Sequence, residues 1–98
     1  MKQPRIIHIN GRRWFDRRNG NTYHSVKAWA DGALVFGCPF TYGYGDQYMQ
    51  TVQGWLETQG WKFERYSSGV LQTLKDYCQQ HGITLIADVA DVGRKADL

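Results

Sequence analysis

Along the first forty residues, apolar and polar side chains alternate in short runs. Three dipeptides that favour tight reversal separate them: Asn10-Gly11, Asn19-Gly20 and Asp31-Gly32. Each can supply the two positive-φ positions of a type I′ turn, whose twist matches that of paired strands. The segments between them are rich in β-branched and aromatic residues. The pattern predicts strands at about 5–9, 12–18, 21–30 and 33–38. Pro39 lacks the N–H that a ladder uses and keeps Cys38 extended, so the fourth strand is expected to stop there.

Two-residue loops fix register, and register assigns faces because side chains alternate along a strand. Ile9 is then expected to face Arg12, Trp14 to face Ser25, and Trp29 to face Leu34. One face collects Ile7, Ile9, Arg12, Trp14, Tyr23, Trp29, Leu34, Phe36 and Cys38. Its larger side chains make it the expected seat of the helices. The other face carries Val26 and Ala28 but also His8, Arg13, Phe15, Arg17 and His24, which would form an exposed cationic patch around an aromatic ring.

After residue 40 the period changes. Tyr48, Val52, Trp55 and Leu56 recur at helical spacing and Gly60 follows as a stop. The stretch "TYGYGD", residues 41–46, then reads as a strand-to-helix joint. Gly43 and Gly45 supply backbone freedom, and Asp46 offers a carboxylate as N-cap. The stretch differs by one residue from a potassium-channel filter signature. A filter needs flanking spans of about 20 apolar residues, and the longest apolar runs here, at 33–36 and 83–87, are far shorter. Anion binding at the helix start is disfavoured because Asp46 occupies that place. Tyr42 and Tyr44 lie in the joint and are candidates for a recognition surface. "WKFERY" at 61–66 reads as extended or loop. Ser67 or Ser68 is expected to cap a second helix carrying Val70, Leu71, Leu74, Tyr77 and Cys78 and ending at Gly82. "ITLIADV" reads as a further strand of the sheet and "GRKADL", residues 93–98, as a polar tail. The expected fold is α+β in one domain over residues 1–98: a four-stranded antiparallel meander, two helices on one side and a C-terminal strand.

Charge changes this picture. Residues 1–30 hold seven lysines and arginines against one acid, while residues 31–98 hold five against eight. An imbalance of this kind suggests an anionic partner. "RRWFDRR", residues 12–18, sets four arginines around Trp14 and Phe15. Cations that neutralise phosphates beside rings that stack on bases suit nucleic acid. Arginine and tryptophan also lead among protein-interface hot spots, so a protein with an acidic surface is the alternative partner. The candidate binding residues are His8, Arg12, Arg13, Phe15, Arg17, Arg18, His24, Tyr42 and Tyr44. Exposed charges of one sign contribute little to folding, so Arg13 and Arg17 are expected to be dispensable for stability.

Catalytic chemistry finds little footing. His8, His24 and His81 lack metal-ligand spacing and there is no Cys-x-x-Cys. His24 and Ser25 are adjacent in a strand and point apart. Asp88, Asp91 and Asp97 read as solvated carboxylates. Cys38 and Cys78 are too few for a disulfide framework and read as small buried apolar groups. The beginning of the sequence has no apolar stretch of signal-peptide type. The expectation is a non-enzymatic cytoplasmic protein without metal, cofactor or membrane.

The pieces "INGRRWF", "GNTYHSV", "PFTYGYGDQY" and "DVADVGRKADL", in this order over most of the chain, resemble a set of small proteins encoded by bacteriophages and prophages. That set has no assigned activity, so the resemblance carries over no functional residue. It implies a small accessory protein acting in the bacterial cytoplasm by binding. The implied targets are nucleic acid or a host protein, including a defence complex that handles nucleic acid; an anti-defence inhibitor working purely by protein–protein contact belongs to the same class.

Overall fold

In the computed structural model, which describes residues 2–98, strand β1 runs unbroken from Ile6 to Asp16. The reversal expected at Asn10-Gly11 does not occur. Gly11 lies mid-strand with the ring of Tyr48 against it; a Cβ there would stand 2.7 Å from Tyr48 Cδ2. This glycine serves close approach of a helix rather than a turn.

Strands β2 (Asn21–Ala30) and β3 (Ala33–Tyr42) complete an antiparallel meander of three strands, not four. Asp31-Gly32 makes the expected turn, with φ of 50° and 85°. Between β1 and β2 the loop spans residues 17–20, and Asp16 faces Asn21. Trp14 therefore faces Tyr23 rather than Ser25. A slip of two residues preserves parity, so Trp14 and Trp29 share a face as expected. Pro39 does not end β3, because β3 is an edge strand with register shifts along it; edges and bulges are where a strand tolerates proline. The irregularity also turns Phe40 and Tyr42 to the opposite side from Phe36.

Helix α1 (Gln47–Thr58) follows the joint. Asp46 holds the N-cap position, but its carboxylate makes no cap bond and its carbonyl accepts from Met49 N–H. At the far end Gly60, with φ of 93°, lets its own N–H reach Glu57 and that of Trp61 reach Leu56, a Schellman closure. The second helix, α2 (Leu74–Gln80), is shorter than expected. Its cap is Thr73, whose hydroxyl accepts from Asp76 N–H, not Ser67 or Ser68. The preceding residues form a small hairpin in which Arg65 bridges Leu71, and Val70 is exposed. Strand β4 (Thr84–Val92) then pairs with β1 in parallel. The sheet is mixed, with order β3-β2-β1-β4. The helices carry the chain from one edge to the other, and a crossover of that kind delivers a parallel neighbour.

Both helices pack on one face. Ile7, Ile9, Val26 and Ala28 from the sheet meet Val52, Leu56, Leu74, Tyr77 and Cys78. This is the face with the smaller strand side chains, the reverse of the expectation. Once β1 is continuous, Ile7 and Ile9 fall opposite Trp14, and the aliphatic pair makes the drier surface. Trp14, Tyr23 and Trp29 remain on the open face. Residues 93–98 are not a free tail: Lys95–Asp97 forms a 3₁₀ turn (η1) that lies on that open face. Among the described residues, no helix is long and apolar enough to cross a membrane.

Candidate functional site

The arginines gather at the end of the sheet where β1 turns into β2. Asp16 closes that turn: its carboxylate accepts from Arg18 N–H, Asn19 N–H and Asn19 Nδ2 at 3.1, 3.3 and 2.8 Å. These bonds, the Asn19 side chain first, hold Asp16 below the usual carboxylate range. The one acid among residues 1–30 is thus committed to the backbone of the turn. Among the described residues the side chains of Arg17 and Arg18 have neither an ion pair nor a hydrogen bond, and only Arg18 feels the Asp16 charge nearby, so the tip presents two guanidinium groups that no bond holds.

Arg13 belongs to the same end but behaves differently. Its Nε and Nη2 donate to the two oxygens of Asp91 at 2.8 and 3.2 Å, and its Nη1 donates to the Gly45 carbonyl at 3.1 Å. It points to the helix side of the sheet and is half-buried. His24 is 1% exposed on that side. Its Nδ1–H donates to the Gly43 carbonyl at 3.2 Å, and the Thr51 hydroxyl sits between His24 Nε2 at 2.8 Å and the Gln47 carbonyl at 3.1 Å. Neither residue is part of a free cationic patch. Together they hold the 43–45 backbone, and that is what "TYGYGD" is for. Gly43 has φ of 151° and donates to the Thr22 carbonyl; a side chain there would strike Gln47 and the His24 ring.

The fixed joint presents Tyr42 and Tyr44 outward. They are 61% and 67% exposed, and Phe15 is 54% exposed. Phe15 and Tyr44 flank a cleft of about 350 Å³ that Arg13, Thr22, Gly45, Asp91 and Val92 also line, at the small end of ligand-cleft volumes. On the open side, Trp14, Tyr23 and Phe40 stack as a cross-strand ladder with centroids 6.0 and 4.7 Å apart, and Tyr42 meets Tyr23 edge-on at 5.8 Å. Arg12 stands on this side and, among the described residues, bonds only to a main-chain carbonyl, that of Asp97.

His8 is elsewhere. It lies towards the opposite end of the open face, against Trp29 at 5.4 Å, with Nε2 3.2 Å from Asp88. Asn10 bonds the same carboxylate, and these two side chains, Asn10 first, keep Asp88 below the usual range. Of the nine expected residues, Phe15 and Tyr44 line one cleft with Arg13, Arg12 and Tyr42 stand on the open side, and Arg17 and Arg18 form the exposed turn between β1 and β2. Arg13 and His24 support them from within, and His8 is set apart. Tyr23, Phe40 and Lys95 also meet on the open side; a strand ending at Pro39 and a polar tail over 93–98 leave Phe40 and Lys95 out of the sequence pattern. A larger cleft of about 620 Å³ lies between the helices, among Gln50, Gln53 and Gln72; Gln53 donates to the Gln72 carbonyl, and the Gln72 amide accepts from Glu64 N–H and donates to Gln80. Cys78 is buried, which pushes its thiol up to about 11. Among the described residues no group of three or more His, Cys, Asp or Glu could hold a metal ion. No family model, no curated protein and no solved structure matches this chain.

Proposed function

We propose that this protein binds single-stranded nucleic acid at the hairpin end of its sheet, as a small non-enzymatic accessory protein of the phage type acting in the bacterial cytoplasm. One observation carries the reading. Phe15, Tyr42 and Tyr44 are each more than half exposed at the end of the sheet whose turn carries Arg17 and Arg18, neither guanidinium being held by an ion pair or hydrogen bond among the described residues, and Phe15 and Tyr44 share a cleft. Folding has no use for that arrangement. Exposed rings forgo burial, and like charges close together repel. A single strand satisfies both groups, since its phosphates pair with guanidinium groups and its unpaired bases stack on rings.

The test is a fluorescence-anisotropy titration with labelled single-stranded DNA and RNA between about 50 and 200 mM salt. Affinity should fall steeply with salt. The double variant Arg17→Ala/Arg18→Ala should weaken binding at least about tenfold, or roughly 1.4 kcal/mol. It should also flatten the logarithmic salt slope by about 1.4, because each phosphate contact to a single strand contributes about 0.7. No binding at the lowest salt would sink the reading. Capture of an acidic host protein, indifferent to salt and to nuclease, would replace it with the protein-inhibitor alternative.

A further inference from the structure

After Val92 the chain leaves β4 at the hairpin end and crosses the open face towards β3. Lys95 Nζ stands 4.8 Å from the centroid of the Phe40 ring. The Asp97 carbonyl accepts from Arg12 Nη1 at 2.9 Å. Leu98 shares a cleft of about 390 Å³ with Arg12, Ser25, Lys27 and Pro39. Arg94 grips both oxygens of Asp97 at 3.0 and 3.1 Å, which keeps the turn closed on itself. The N–H groups of Asp97 and Leu98 bond within the turn, to Arg94 and Lys95. Among the described residues no backbone-to-backbone bond therefore fastens this turn to the sheet, and it can lift without breaking a ladder.

We propose that residues 93–98 form a strap that closes over the open face and is displaced when nucleic acid binds. The proposal rests on the binding reading above and adds its regulation. The strap uses the contact types a strand would use. It gives Arg12 an acceptor oxygen where a phosphate would sit, and it covers a face of Phe40 on which a base would stack. Two occupants cannot share those groups. Apparent affinity is then the intrinsic affinity reduced by the fraction of molecules in which the strap is open. The Leu98 side chain is half-buried in that cleft and uncharged, so Leu98→Ser loosens the strap while leaving every cation in place.

The experiment uses the full chain and an oligothymidylate strand. Leu98→Ser should bind about three- to tenfold more tightly than the unmodified protein, with the same salt slope, as expected when a mostly closed state is opened. In the unmodified, nitrogen-15-labelled protein the heteronuclear NOE of residues 94–98 should be high when free and should fall as the strand is added. Equal or weaker binding by Leu98→Ser overturns the strap. So does an NOE that stays high with ligand bound, which would make these residues part of the binding surface. If neither protein binds the strand at about 50 mM salt, the binding reading fails and takes the strap with it; if both bind equally, the strap alone fails.

Discussion

Arg13 and Arg17 lie four positions apart and are chemically identical, yet the fold uses them in opposite ways. Arg13 is clamped between Asp91 and the Gly45 carbonyl, whereas Arg17 has no side-chain partner among the described residues. Arg13→Ala should destabilise by about 1 kcal/mol, the upper end for a pair whose acid is largely solvated. Arg17→Ala should stay within about 0.5 kcal/mol of the unmodified protein. His24→Ala should cost at least about 2 kcal/mol, since it opens a cavity and strips partners from Gly43 and Thr51. Calorimetry reads all three, at about 4–8 °C per kcal/mol for a chain of this size. Equal melting temperatures for the two arginine variants would refute the division of roles. The sequence showed the density of cations here. It could not show which ones meet a carboxylate, because the Arg13 partner lies 78 residues away.

At the scale of elements, the legible features were those with a local cause. Asp31-Gly32 turns because both residues can take positive φ, and α1 stops at Gly60 for the same reason. The α+β class and the helical stripe of Tyr48, Val52 and Leu56 also follow from local pattern. Asn10-Gly11 carries the same signal as a turn and is overridden by tertiary packing, as the Tyr48 ring claims the space over Gly11. From that one misreading followed the extra strand and the reversed faces. Gly11→Ala tests the cause. It should destabilise by about 1–3 kcal/mol, as overpacking does. Tyr48→Leu in the same chain should recover part of the loss, giving a double-mutant cycle that departs from additivity. Strict additivity would mean that the ring does not hold the helix to the strand.

For the molecule as a whole, the seam between β1 and β4 joins what the order of the chain keeps apart. Asp88 fastens it from the open side through His8 and Asn10. Those bonds hold its carboxyl below the ordinary value of 3.8, so the contribution is fully present above that value and is lost as pH falls through the lower folded value. Asp88→Asn should therefore lower stability at neutral pH, where that contribution is present, leave the strongly acid region little changed, and so flatten the acid limb of the stability curve below about pH 4. An acid limb as steep as before would exclude Asp88 as a source of it. The parallel seam also bears on synthesis. Residues 6–42 can close as a meander as soon as they emerge, yet the other flank of β1 has no mate until residues 84–92 have been translated. Throughout that interval the growing chain exposes a row of unmatched amide and carbonyl groups along what will become the middle of the sheet, where a chaperone or a second nascent copy can reach them.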